Sequence, residues 1–413
     1  MDSSSGALLR AFKSRLDERE AKGRRRRLQV PPPGAVDFSS NDFLSLSTSA
    51  LLRARFLQSL TRESSLHPLA SKGSRLLDGN STYAEELERF IASFHSAESG
   101  LLFNSGYDAN LSIFSCIPQP GDVILYDELI HASAHDGMRL SRASRKIPFK
   151  HNSADDFFRI AQSLLQEDHL IASGERNVLV AVESLYSMEG DIAPIAELLE
   201  VIKTVFPRGN GYMIVDEAHS TGAFGPRGAG IVQELGVQSR IFIRLHTFGK
   251  ALASHGAIVL CSHLTREYLI NYARSLIYST AMGMPSLVST RAVYDLMSEG
   301  VTETLQFQLR EVVQYMATKL KGLQQADPPI LTIQHQYRSP IFSLQTSMPR
   351  ELASFLQAEG QIVRAIMPPT VPKGTERVRV CLHASNTYEE IDRFIELIKE
   401  WVEQQRPGRV FRL

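Results

Sequence analysis

The chain has little cysteine: Cys116, Cys261 and Cys381 in 413 residues, far apart and odd in number. That pattern excludes a disulfide framework and shows no metal-ligand spacing, so buried thiols in a reducing compartment are expected, and no metal site. Charge of one sign is also missing. Forty-five Lys and Arg balance 45 Asp and Glu, which leaves no global field to hold a polyanion and removes nucleic acid from the expected partners. No apolar run approaches the roughly 20 residues needed to span a bilayer. The polar start MDSSSG lacks the apolar core of a signal peptide. Internal repeats and long low-complexity tracts are absent as well. A soluble protein of the cytosol is expected.

What is present suits a folded enzyme-sized chain. Hydrophobic residues make up 43% and charged residues 22%, ordinary globular usage and far from a disordered balance. The length exceeds what one core usually supports, so a large domain with a smaller companion is expected. We divide the chain into an N-terminal helix and arm (1–45), a large α/β domain (46–285) and a small α+β domain (286–413).

Residues 7–22 read as a helix with Leu8, Leu9, Phe12 and Leu16 on one side and Gly23 as its stop. The arginines Arg24 to Arg27 read as the solvated end of that helix rather than a localisation or membrane patch. PPPG at 31–34 then breaks the chain. From about residue 84, Leu87, Phe90, Ile91 and Phe94 recur at helical spacing and lead into the strand GLLF.

Further short apolar runs follow: VILY (123–126), NVLVAV (177–182), YMIV (212–215), RIFIRL (240–245) and AIVLC (257–261). Separated by helix-compatible segments, they predict a mostly parallel sheet covered on both faces. Ligands in such sheets collect at the carboxyl ends of the strands. After Pro285 a long helical region to about residue 325 is followed by LTIQH, SPIFSL, QIVRAI and RVRVCL, the mixed pattern of a second domain. Its last helix opens with Thr387 and Glu390 at capping-box spacing.

The chemistry is sought just after the strands. In HTFGKA (246–251) a lysine follows a strand and a glycine-containing turn, a residue type needed wherever an aldehyde cofactor is held as an imine. Alone, Lys250 reads as a surface lysine. Upstream, YMIVDEAHSTGAFG places Asp216 at a strand end, where a carboxylate can keep a pyridine nitrogen protonated. Asp216 read alone is a helix cap, and His219 a core histidine. The joint pattern favours the cofactor reading.

NSGYDAN (104–110) turns from strand to helix through Ser105 and Gly106, where free amides could hold a phosphate. His131, in YDELIHASAHDG, could lie flat on a ring and assist proton traffic, and Ser187, in ESLYSMEGD, could bond a ring oxygen. Each has an ordinary structural reading as a turn residue.

Taken in this order, from FSSNDFLSLS (38–47) to PPTVPKGTERVRV (368–380), these segments resemble the α-oxoamine synthases, a branch of the fold-type I pyridoxal-phosphate enzymes. The resemblance spans most of the chain. It implies pyridoxal 5′-phosphate as cofactor, an amino acid and an acyl-CoA as substrates, and decarboxylative condensation to an aminoketone. It also implies Lys250 as the Schiff-base lysine, Asp216 at the pyridine nitrogen, His219 and Ser187 at the ring oxygen, and His131 stacked on the ring. Gly106, Tyr107 and Thr247 then fall on the phosphate side. A homodimer with a shared site is implied, with Ser279 and Thr280 supplied to the partner's phosphate.

Substrate carboxylate binding falls by the same resemblance to Asn41, His131 and Arg379, and the acyl site to Thr370. Two positions depart from many bacterial members: Met367 stands where an arginine precedes PPTVP, and Ala84 where a histidine is common. Both leave the acyl partner open. The alternatives are a non-catalytic partner subunit of the same fold, against which Lys250, Asp216 and His219 all stand, and a transaminase. The C-terminal Phe411-Arg412-Leu413 makes the peroxisome the alternative address.

Overall fold

A strand covered by helices on both faces has no polar side to show, and the runs VILY, NVLVAV and AIVLC meet that demand. In the computed structural model of the protein, which describes residues 6–323 and 330–406, they lie in a seven-stranded sheet. Its strands are β1 (Ser99–Phe103), β2 (Val123–Asp127), β3 (Arg145–Phe149), β4 (Val178–Glu183), β5 (Gly211–Asp216), β6 (Ile243–Thr247) and β7 (Ala257–Cys261). The spatial order is β1-β7-β6-β5-β4-β2-β3. β3, β2, β4, β5 and β6 are mutually parallel. β7 is antiparallel to both β6 and β1. The mostly parallel sheet expected from the sequence is thus present.

Two details differ from the expectation. β3, the segment RKIPF, carries no apolar run because it is an edge strand with four of five residues at least partly exposed, and Pro148 is tolerated there. RIFIRL enters the sheet only at Ile243, since Gln238–Arg240 wind a short 3-10 turn first.

A second sheet contains β8 (Thr332–Gln334), β9 (Ile341–Gln345), β10 (Arg364–Ile366) and β11 (Arg377–Cys381). It is antiparallel throughout, in the order β10-β11-β9-β8. The last helix, Tyr388–Gln405, starts with the capping box of Thr387 and Glu390 and buries Ile391, Phe394, Ile395, Ile398 and Trp401. The helical region after Pro285 is two helices, Met284–Ser298 and Glu303–Leu320. Gly300, at φ +78°, takes the left-handed conformation that breaks them apart. We propose a boundary near residue 285 between the parts carrying the two sheets.

By contacts the chain divides into one unit ending at Val36 and another from Asp37 onward. In the first, a helix spans Ala7–Ala21 and stops at Gly23, φ +60°. Arg24 to Arg27 lie past its end rather than on it, and Arg25 and Arg27 both pair with Glu20. Residues 37–45, expected in the arm, pack in the second unit instead. Phe38, Phe43 and Leu44 are fully buried, and the amides of Cys381 and Ala384 donate to the carbonyls of Phe38 and Phe43. Among the described residues, no helix is long and apolar enough to cross a membrane. The segments MDSSS and Phe411-Arg412-Leu413 lie outside the described residues.

The carboxyl ends of the parallel strands are tied together below the surface. His151, after β3, places Nδ1 2.8 Å from Asp127 of β2 and Nε2 2.9 Å from Asp191 in the loop after β4. Burial opposes the imidazolium, but the hydrogen bonds and charges of the two aspartates outweigh it and push the His151 pKa up to about 10. A raised folded-state pKa contributes stability that is complete below the unfolded value of about 6.5 and disappears as pH rises through about 10. His151→Ala is expected to cost about 3 kcal/mol near pH 6, the scale of a buried ion pair that loses one partner. Denaturant midpoints of wild type and variant should converge as the pH approaches about 10. An equal gap at both pH values would contradict the ion-pair account.

Candidate active site

Strands that run parallel end on one edge of the sheet, so β1, β2, β4, β5 and β6 deliver their last residues to the same place. An open cavity lies there, lined from the strand ends by Glu183, Asp216 and Thr247 and from the turn after β6 by Lys250. The Gly106 turn and His131 complete the wall. Of the residues picked from the sequence, the structure brings Gly106, Tyr107, His131, Asp216, Thr247 and Lys250 into this one lining.

Lys250 is held by a turn whose backbone is fixed by the Ala253 amide donating to the Lys250 carbonyl at 2.9 Å. Its Nζ lies 2.7 Å from His219 Nε2. Burial pulls the Lys250 amine down to about 8, against the charges of Asp216 and Glu183, which favour the ammonium. Burial first, then the charges of Lys250, Arg379 and His131, keep His219 well below its ordinary pKa. A neutral imidazole can accept a hydrogen from the lysine amine, and His219 Nδ1 remains buried without a partner among the described residues.

Asp216 ends β5 as the sequence predicts. Its Oδ1 accepts from the Ala218 amide at 2.9 Å and its Oδ2 from Asn110 Nδ2 at 2.7 Å. Asn110 in turn donates to Ser133 Oγ at 3.0 Å. Both contacts suit a carboxylate, which accepts and does not donate.

The helix Gly106–Cys116 is capped by Ser105, whose Oγ accepts from the Asp108 amide at 3.1 Å. The first amides of such a helix have no intrahelical acceptor and face an anion favourably. Gly106 is required here: a Cβ would run into the Thr247 methyl, so only glycine lets the helix start this close to β6.

His131 caps the helix Ala132–Arg139, its Nδ1 accepting from the Ser133 amide at 3.2 Å. Burial depresses its pKa, Asp216 raises it and Lys250 lowers it, with a net downward shift. The ring is therefore neutral near pH 7. Tyr107 meets that ring edge-on at 6.4 Å and donates its hydroxyl hydrogen to Asp136.

Arg379 of β11 reaches from the small sheet and donates to Asn41 Oδ1 at 2.7 Å. It is buried, its Nε has no partner among the described residues, and its charge is felt by both Lys250 and His219. Four sequence candidates lie elsewhere. Ser187 is half-buried in the loop after β4 and does not line the cavity. Thr370 is exposed in a turn, its amide donating to the Met367 carbonyl at 3.0 Å. Ser279 and Thr280 are exposed and line a small neighbouring depression that shares Asn104 with the first, and Asn104 Nδ2 donates to the Thr280 carbonyl at 2.9 Å.

Sequence reasoning passed over Asn110, Ser133 and Glu183, all in the lining. For Glu183 a signal existed: an acidic residue closing an apolar strand, the same signal that picked out Asp216.

The donor set fits a flat phosphorylated aldehyde with a basic ring nitrogen. It offers a partly neutral amine, a carboxylate held by two donors, a helix start cleared of side chain by Gly106, and two imidazoles, one with an orphaned buried nitrogen.

Comparison with known proteins agrees. The model of the family described as aminotransferase class I and II matches residues 33–398. An 8-amino-7-oxononanoate synthase of Emericella nidulans is 59% identical over 404 residues, 98% of each chain. An aminoacyl transferase sphA of Aspergillus fumigatus is 41% identical over 387 residues, 90% of this chain and 81% of that one. Among solved structures, a serine palmitoyltransferase of Sphingomonas wittichii superposes with a TM-score of 0.81 at 24% identity, over 96% of this chain and 98% of that one.

Proposed function

This chain belongs to the aminotransferase class I and II family and, within it, to the pyridoxal-phosphate-dependent α-oxoamine synthases, and on that premise we propose that it condenses L-alanine with pimeloyl-CoA. The products would be 8-amino-7-oxononanoate, carbon dioxide and free CoA, a step of biotin synthesis. The observation that carries this reading is Lys250, an amine lowered by burial, 2.7 Å from a neutral His219 and in one cavity with Asp216.

In this reading Lys250 holds the cofactor aldehyde, Asp216 its ring nitrogen, and Gly106, Tyr107 and Thr247 its phosphate. His131 would cover the ring and His219 would serve its oxygen, while Ser187, outside the cavity lining, takes no part in this reading. When bound, the cofactor supplies an electron sink for negative charge developing at the amino acid's α-carbon. The chain's own groups do the rest. Lys250 Nζ, neutral in part near pH 7, takes the proton from the α-carbon and returns it to the product. His219 Nε2 accepts a hydrogen from that amine and fixes its direction. Arg379, with Asn41 and His131, orients the substrate carboxylate that is later lost as carbon dioxide, and Thr370 borders the acyl chain.

We also propose a homodimer with shared sites. Tyr278, 72% exposed, directly precedes Ser279 and Thr280, and Leu69 and Leu77 are 58% and 78% exposed, apolar surface suited to a second copy. A contact there would deliver both hydroxyls to the partner's phosphate. The cytosol is the proposed location, and imaging a chain lacking its last three residues tests the peroxisomal alternative.

One observation favours a second reading. Met367 stands in front of the PPTVP segment where many bacterial members carry an arginine, and an uncharged side chain there offers nothing to a carboxylate-ended acyl chain, so a longer uncharged thioester is the rival donor. Product mass after incubation with alanine and a panel of acyl-CoAs decides between them. The first reading predicts a pimeloyl-derived aminoketone that has lost carbon dioxide. A product only from long unsubstituted chains supports the second, and an amino-group exchange without carbon dioxide loss contradicts both.

A further inference from the structure

Glu183 is the carboxyl of the cavity lining, besides Asp216, and the reaction outlined above does not use it. It closes β4 as Asp216 closes β5, and the two are paired in register across the parallel ladder. Residues in register on adjacent strands point to the same face, on strands about 4.8 Å apart. Both side chains line the same cavity. Asp216 has two donors, Asn110 and the Ala218 amide. Among the described residues, the bond Glu183 makes with a side chain runs from its backbone amide to Tyr186 Oη at 3.3 Å, leaving the carboxyl without a donor of its own. Only 3% of Glu183 is exposed.

We propose that Glu183 and Asp216 form a carboxyl pair that holds one proton between them, and that a cation settling beside Asp216 drives that proton off Glu183. Two buried carboxyls on neighbouring strand ends resist ionising together, and the Lys250 amine, itself pulled down by burial, offsets only part of that repulsion. Asp216 has the donors that stabilise charge, so the proton rests on Glu183. Burial, followed by the charge of Asp216, pushes Glu183 in that direction, and Glu189 and Asp127 add to it. Lys250 opposes them. Tyr186, His131 and His151 are the further titratable groups around it: burial holds the Tyr186 phenol neutral, burial leaves His131 neutral, and His151 is paired with Asp127 and Asp191.

The balance is simple. Without a cation, the pair is Asp216 carboxylate plus Glu183 carboxylic acid, net charge minus one. With a ring nitrogen cation against Asp216, the O–H bond of Glu183 breaks, the proton leaves through the cavity, and the three groups again sum to minus one. Lys250 then faces the same net charge in both states. Glu183 is thus a positioning residue for charge rather than for shape.

The proposal rests on the pyridoxal-phosphate reading of the cavity. Its test is calorimetric titration of the full-length apoprotein with pyridoxal 5′-phosphate in buffers of different ionisation heat, for wild type and Glu183→Gln. Wild type is expected to release about one more proton per site than the variant. Protons exchanged by Lys250 or by the ring occur in both and cancel in the difference. Equal proton counts with tight binding in both proteins would overturn the pair and leave the cofactor reading intact. Absence of binding to either protein would overturn both.

Should Glu183→Gln misfold, pyridoxine 5′-phosphate, which cannot bond covalently to Lys250, and Glu183→Asp supply the second measurement. Wild type and the aspartate variant should each release about one proton per site when this probe binds as its ring-nitrogen cation. Binding of the probe with no proton released by either protein would overturn the pair.

Discussion

Lys250→Ala is expected to lower kcat by at least about 10⁴-fold, the upper range for losing a positioned acid–base group, because two roles end with one side chain. The amine both holds the cofactor aldehyde and moves the α-proton. It does so from a site where burial pulls its pKa down to about 8, so a useful fraction is neutral near pH 7. Lys250→Arg keeps a positive charge near Asp216 and Glu183 but has no neutral form, and it should fall as far. The check is steady-state turnover with alanine and pimeloyl-CoA, alongside the absorbance of the purified protein. A variant within tenfold of wild type would remove Lys250 from the chemistry.

Asp216→Asn should reduce kcat by roughly 10³-fold, the size of one lost charge-stabilising contact in a water-poor site. The amide keeps the shape of the carboxylate and its bond from Ala218. Its nitrogen is a donor, however, and Asn110 Nδ2 also offers a donor at that position, so one of the two must turn away. More costly is the charge: without it nothing holds the ring nitrogen protonated, and electrons are drawn less strongly from the α-carbon. Turnover should fall much further than cofactor affinity, which the phosphate and Lys250 still support. A parallel loss of both would point to a structural role for Asp216.

Much of this arrangement could be read from the residues themselves. Strands buried on both faces betray themselves as unbroken apolar runs, and β2, β4 and β7 fall where those runs lie. β3 escaped because an edge strand is exposed enough to keep Arg145, Lys146 and Pro148. The capping box at Thr387 was legible because it depends on two residues at fixed spacing. The interruption between Ser298 and Glu303 was not, because Gly300 resembles any helical glycine until its positive φ is known.

The site divides along the same line. Lys250 and Asp216 follow strands directly, so chain order alone put them on the right edge of the sheet. Asn110 and Ser133 reach the cavity by the turn of a helix, and neither residue type announces that in a sequence. At the end of β4 attention fell on Ser187, while the side chain lining the cavity is Glu183. Ser279 and Thr280 line a neighbouring depression of the same chain, where a role through a second copy leaves no mark in one copy's geometry.

The whole account depends on which amine carries the cofactor, and borohydride reduction followed by peptide mass mapping asks that directly. After incubation with pyridoxal 5′-phosphate and reduction, the added mass should sit on the peptide containing Lys250. A Lys250 peptide of unchanged mass, or the label on another lysine, would contradict it.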